Sequence, residues 1–382
     1  MVTQTSLKIS ADFDSGNIEV IDASNPSHTL LAIRPDTLSP HFQWFHFKVE
    51  NLQIGHTHAF SLGNAGKSSY SRAWSGYNVV ASYDHENWFR VPTTYDGSSL
   101  DFSIDPSDSQ IYFAYFEPYS RVRHDGLIEQ AINKAGLELI ATGKSIEGRD
   151  VQLLRKGDGS VGKRNIWIIA QQHPGEHMAE WFMEGLIERL QDAADPVMAQ
   201  LLSMANLYLV PHMNPDGSFH GHLRTNAMGK DLNRAWQDST EALSPEVFFV
   251  RQQMEQYGVD LFLDVHGDEE IPYIFTAACE GNPGYTPHQQ QLEEHFRRRL
   301  SEITRDFQSR YGYPRARPGQ ANMNLACNST GERYKCLALT LEMPFKDNDD
   351  APDAVTGWSG RRSKQLAKDV LTTIAEMIPV LR

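Results

Sequence analysis

The sequence predicts a two-part α/β chain: an antiparallel β-sandwich over residues 1–120, then a unit of alternating strands and helices over residues 121–382. Three observations carry this. Before residue 120, short runs of β-branched and aromatic residues are broken by turn-forming clusters, the pattern of an antiparallel sandwich. After residue 121, near-continuous apolar runs alternate with longer helical segments, as in strands covered on both faces. The 382 residues, 40% apolar and 22% charged, are also enough to bury a large core without a disulfide framework.

In the first part, strands are expected over 16–21, 28–33, 43–50, 77–83 and 110–116. Ser24-Asn25-Pro26-Ser27, Gly63-Asn64-Ala65-Gly66 and Asp96-Gly97-Ser98-Ser99 provide turns. Within 43–50, Phe45, Phe47 and Val49 share one face while His46, Lys48 and Glu50 share the other, the period of a half-buried strand. No titratable cluster stands out here, so scaffolding or recognition is the expected role. In the second part, apolar strands are expected at 165–170, 207–210, 261–265 and 337–341. Helices are expected at 127–135, 178–191, 245–257, 288–311 and 361–378. The acidic stretch 347–353 lacks the spacing of a calcium loop and reads as a solvated turn.

The formal charge of −14 argues against nucleic-acid or anionic-membrane partners, which need a positive field. Three cysteines without a C-x-x-C pair suit reduced thiols. With no basic-then-apolar leader and no stretch near ~20 apolar residues, the expected location is the cytoplasm.

Chemistry concentrates in Gln171-Gln172-His173-Pro174-Gly175-Glu176-His177, directly after an apolar strand. Strand ends are where open α/β sheets gather functional groups. Two metal readings compete: His173 and Glu176 with a distant histidine, or His173 and His177 as ligands one turn apart on a helix. Pro174 and Gly175 between them oppose the helix and favour a loop. The distant histidine is His266, closing the apolar run Leu261-Phe262-Leu263-Asp264-Val265. Two imidazoles and one carboxylate leave a zinc position open for water, the pattern of a catalytic site. Glu342 closes another apolar strand and suits a general base. Arg224, Asn233 and Arg234 suit recognition of a carboxylate and stabilisation of an oxyanion. Together these parts describe a peptidase that reads a free C-terminus. His177, His212, His220 and His222 are expected to hydrogen-bond locally, Glu180 and Trp181 to brace the following helix, and Cys336 to be core.

The series Gly143-Lys144-Ser145-Ile146-Glu147-Gly148-Arg149, His173-Pro174-Gly175-Glu176, Asn214-Pro215-Asp216-Gly217, Asp231-Leu232-Asn233-Arg234, His266-Gly267 and Glu342 resembles the zinc metallocarboxypeptidases, or funnelins. Phe13-Asp14-Ser15-Gly16-Asn17 and Trp88-Phe89-Arg90-Val91 resemble the N-terminal region of the cytosolic carboxypeptidase branch. The resemblance covers nearly the whole chain. It implies an α/β/α carboxypeptidase domain around a mixed sheet of about eight strands, and one zinc per chain held by His173, Glu176 and His266. It further implies Glu342 as general base, Arg224 polarising the scissile carbonyl, and Asn233 and Arg234 binding the terminal carboxylate of peptide or protein substrates. Removal of acidic residues would need a basic pocket, for which Arg333 or Lys335 is the candidate, with Tyr334 as pocket tyrosine. The alternatives are an amidohydrolase of small N-acyl amino acids on the same scaffold and a peptide-binding relative without turnover.

Overall fold

The computed structural model describes residues 6–381. Its N-terminal part is two facing five-stranded sheets. One runs in the order β1 (Lys8–Ser10), β4 (His46–Glu50), β10 (Gln110–Ala114), β6 (Val79–Ser82) and β7 (Phe89–Val91). The other runs β2 (Glu19–Asp22), β3 (Thr29–Ala32), β5 (His58–Leu62), β9 (Leu100–Ile104) and β8 (Thr93–Tyr95). All pairings are antiparallel except β3 with β5, which run parallel. The expected inward face of β4 is found: Phe47 opposes Phe113 in register, and Phe60 and Phe102 pack on Phe113 from the second sheet. The other face of β4 is less solvated than its alternation suggests. His46 is buried because its ring bonds Ser15 Oγ and the imidazole of His85, both at 3.0 Å.

From residue 121 the chain builds a seven-stranded mixed sheet, one strand fewer than the resemblance implied. The order is β11 (Glu138–Lys144), β12 (Asp150–Lys156), β14 (Ala205–Val210), β13 (Arg164–Ala170), β15 (Leu261–Asp268), β17 (Leu337–Pro344) and β16 (Phe275–Ala278). The four inner strands are parallel, and the outer three pair antiparallel. The inner strands are buried on both faces, which is why they read as unbroken apolar runs.

Helices α1 (Arg121–Asn133), α2 (Met178–Leu190), α3 (Pro196–Met204), α4 (Pro215–His220), α5 (Pro245–Tyr257), α6 (Pro287–Ile303), α7 (Ala326–Tyr334) and α8 (Gly360–Met377) complete the fold. Alternate residues of β13 separate two cores. Ile166 and Ile168 pack with Leu186 of α2 and Leu371 of α8, whereas Trp167 and Ile169 pack with Val247 and Val250 of α5. Gly185 lets α2 and α8 touch, since a Cβ there would fall 2.3 Å from the Lys364 backbone. Boundaries follow local chemistry. Ser120 caps α1 through Arg123 N at 3.2 Å, starting that helix six residues earlier than its apolar pattern suggests. Thr286 and Gln289 form a capping box on α6. No helix among the described residues is long and apolar enough to cross a membrane.

Candidate active site

The segment 171–177 is a loop from β13 into α2, as Pro174 and Gly175 require. Gln171 takes a left-handed backbone (φ 56°), and its amide donates to Pro174 O at 2.9 Å, folding the loop on itself. Gly175 N donates to Leu223 O at 3.0 Å, and a Cβ at this position would sit 2.9 Å from that oxygen. Only glycine lets the loop approach the segment that carries Arg224 this closely.

The loop and the strand ends bring together the three residues expected to bind metal. Glu176 bridges two imidazoles, with Oε1 2.6 Å from His173 Nδ1 and Oε2 2.8 Å from His266 Nδ1. All three are buried, and one ligand atom from each lies within 4.8 Å of the others. The outer nitrogens are engaged by carboxylates: His173 Nε2–H donates to Asp231 Oδ1 at 3.1 Å and His266 Nε2–H to Asp264 Oδ2 at 2.8 Å. With a cation bound, those carboxylates would keep the proton on each Nε2 and leave both Nδ1 atoms to the ion, as a zinc site requires. Gln172 Nε2 in turn donates to Asp264 Oδ2 at 2.7 Å, and Trp236 Nε1 to Gln172 Oε1 at 2.7 Å. Burial alone would raise the Glu176 carboxyl, but His173 and His266 pull it down to about 2. A buried carboxylate between two imidazoles is a donor set that fits a divalent cation.

Glu342 pairs with His266 across the parallel β15–β17 register. The Tyr313 hydroxyl lies 3.1 Å from Glu342 Oε1 and 2.6 Å from Asp268 Oδ2, whereas Glu342 Oε2 is buried without a hydrogen-bond partner among the described residues. Burial pushes the Glu342 carboxyl well up; His266 opposes the rise and Glu176 adds to it. Arg224 is held at both ends. Its Nε donates to Asp231 Oδ2 at 2.8 Å and its Nη1 to the Tyr70 hydroxyl at 2.5 Å. Asp36 accepts the backbone N–H groups of Leu223, Arg224 and Thr225 at 2.7, 2.9 and 2.9 Å. Asn233 Oδ1 accepts from Ala326 N at 2.8 Å, and Arg234 Nη1 donates to Asn233 O at 2.8 Å.

All seven expected site residues line one cleft of ≈ 590 Å³. Tyr70, Arg72, Glu269 and Tyr313 also line it, and none was singled out by motif. A second cavity of ≈ 480 Å³ adjoins, sharing Ala277, Tyr313, Leu325 and Thr340 with the cleft and containing Arg297 and Arg315. The basic residues expected before Glu342 are elsewhere. Arg333 pairs with Glu255, Lys335 pairs with Glu332 at 2.6 Å, and Tyr334 packs against the core beside α5. They sit at the end of α7, which Lys335 terminates in a left-handed conformation, and that end faces away from the cleft lining. The adjoining cavity takes part of its lining from the Tyr311-Gly312-Tyr313-Pro314-Arg315 run, aromatic and basic in one loop.

The remaining histidines bond locally. His177 Nδ1 accepts from Tyr119 N at 2.9 Å and its ring stacks on Trp44, His220 pairs with Glu147, and His222 bonds Thr37 and Thr225. His212 pairs with Glu180. Cys336 is core.

This fold and cleft define a metallocarboxypeptidase, and comparison with known proteins agrees. Residues 130–351 match the zinc carboxypeptidase family and residues 9–116 the cytosolic carboxypeptidase N-terminal domain; the chain belongs to the zinc carboxypeptidase family and is a hydrolase of that kind. It is similar to a metallo-carboxypeptidase from Pseudomonas aeruginosa solved in complex with (2-guanidinoethylmercapto)succinic acid, with 60% identity and a TM-score of 0.97 over 98% of this chain and 100% of that one. A metallo-carboxypeptidase from Burkholderia cenocepacia is 39% identical with a TM-score of 0.95 over 99% and 100% of the two chains. Cytosolic carboxypeptidase 6 of Caenorhabditis elegans is 27% identical over 90% of this chain and 79% of its own.

Proposed function

We propose that this chain hydrolyses the last peptide bond of peptides or proteins, with a preference for acidic C-terminal residues, using one zinc held by His173, Glu176 and His266. The observation that carries the reading is the juxtaposition of that trio with Glu342, whose Oε2 is unpaired and whose strand lies in register with His266. When bound, the zinc supplies Lewis acidity that polarises the scissile carbonyl and acidifies a water. Glu342 then takes the proton of the attacking water and passes it to the nitrogen of the leaving amine. Arg224 holds the charge that develops on the carbonyl oxygen, and Asn233 and Arg234 grip the terminal carboxylate.

Tyr70 and Asp36 are positioning residues: they fix the guanidinium and the backbone of Arg224. Residues 1–120 thereby serve catalysis performed by residues 121–382. Arg297 and Arg315 give the adjoining cavity its acidic preference. Glu280 meets both guanidiniums, Arg315 at 3.3 Å and Arg297 at 3.5 Å, and Arg297 also pairs with Glu293, so an acidic substrate side chain would exchange with these carboxylates for the two arginines. The charge of −14 speaks against nucleic-acid and membrane partners, and the cytosolic names of the relatives support a cytoplasmic location.

Mass analysis of products from a mixed library of free-ended peptides, with the zinc-loaded enzyme, tests this. Loss of single C-terminal residues, aspartate and glutamate first, is expected. Internal cleavage overturns the exopeptidase assignment, and indifference to acidic ends overturns the role of Arg297 and Arg315.

A further inference from the structure

A second set of two imidazoles and a carboxylate lies one helical turn along from Glu176. Glu180 stands in the first turn of α2, His124 near the start of α1 and His212 just beyond the end of β14. All three are buried, and one ligand atom from each lies within 4.8 Å of the others, as in the active-site trio. The wiring around the carboxylate is similar. Glu180 spans both rings with its two oxygens: Oε1 contacts His124 Nδ1, and Oε2 lies 2.8 Å from His212 Nδ1. The outer nitrogen of His124 donates to Gln152 Oε1 at 3.2 Å, just as Asp231 and Asp264 engage the outer nitrogens of His173 and His266. With an ion bound, an acceptor there would keep the proton on Nε2 and leave Nδ1 to the ion, the orientation found at metal-bound histidines.

A cavity of ≈ 20 Å³ lined by Asp14, His124, Glu180 and His212 gives room for a single water-sized body. His212 Nε2, the ring nitrogen that does not meet Glu180, is buried with no hydrogen-bond partner among the described residues. The two cations bordering the cavity are already matched, Arg149 by Glu147 and Asp216 and Arg121 by Asp125.

We propose that His124, Glu180 and His212 hold a second divalent ion of the zinc class, structural in role. Two imidazoles and a carboxylate are a zinc donor set, and Asp14 lines the same cavity from the N-terminal part. No second carboxylate with a free oxygen stands over an open cleft here, so the site has no place for a substrate. The ion would pin α1, the end of β14 and the first turn of α2, and so hold the loop bearing Glu176.

Zinc content and melting of the full chain test this. In a His173→Gln/His266→Gln variant, which disables the active-site trio, one zinc per chain should remain; stripping it with a chelator should lower the melting temperature and zinc should restore it. A His124→Gln/His212→Gln variant should keep one zinc and show a smaller zinc-dependent shift than the unaltered chain, the part owed to the active-site trio. If that variant does not fold, the first one still decides. A His173→Gln/His266→Gln chain that binds no zinc and melts alike with and without it overturns the proposal and leaves a water-filled hydrogen-bonded cluster.

Discussion

Glu176 and Glu180 are four residues apart, both buried and both flanked by two imidazoles, yet only Glu176 borders space that a peptide can enter. Burial raises each carboxyl and the flanking histidines pull each down to about 2. The ligand wiring is therefore not what separates chemistry from support. The difference lies in what stands over it: a 590 Å³ cleft with Glu342 and Arg224 in one case, a single-water cavity in the other. Glu246 shows the control case. It is buried without a cationic partner, and burial pushes its carboxyl up to about 7.

The comparison breaks most visibly at the metal. His266→Ala should lose the active-site zinc and all measurable hydrolysis, while His177→Ala should keep that zinc; metal analysis of the two variants decides, and the reverse result would discard the ligand assignment. Next in size, Glu342→Gln should retain zinc but lower kcat by about 10²–10⁴-fold, because a neutral amide accepts no proton. Retention of full turnover would remove Glu342 from the mechanism.

Arg224→Ala should cost about 10²–10³ in kcat. Tyr70→Phe, which removes one hydrogen bond to a charged group, should cost about tenfold, in kcat more than in KM. Steady-state kinetics on one peptide separates these effects, and an unchanged Tyr70→Phe enzyme would mean that the hydroxyl does not position the arginine.

The smallest effect concerns Glu246. An acid whose folded pKa is raised from 4.5 to about 7 contributes stability below about pH 4.5 and loses it as pH rises to about 7. Glu246→Gln should flatten that slope and stabilise the chain by about 3 kcal/mol above pH 7, as read from denaturant midpoints. A midpoint that does not move with pH in either chain would mean that the carboxyl is ionised throughout.

The sheet and the trio were legible in the sequence for a shared reason. Strands β13, β15 and β17 are buried on both faces, so they stand out as apolar runs, and the polar residues closing them are conspicuous. The seven site residues fall within short motifs, each next to a recognisable element. The pocket arginines were not legible, because Arg297 lies on α6 among other charges and Arg315 on a loop, and neither adjoins a strand end. Tyr70 was invisible for a further reason: it reaches the cleft from a 3₁₀ turn in the other part of the chain. Short strands such as β7 and β8, three residues each, carry too little period to read.

Asp36 has a consequence for how this enzyme can be taken apart. One carboxylate from the sandwich moors three consecutive amides of the stretch bearing Arg224, and the Thr225 hydroxyl as well at 3.0 Å. Transplanting residues 121–382 alone would carry His173, Glu176 and His266 yet leave the Arg224 stretch without Asp36, held only by contacts such as those with Gly175 and Asp231. The smallest working piece of this molecule therefore spans both parts, and any miniaturised version has to bring its own anchor for the arginine.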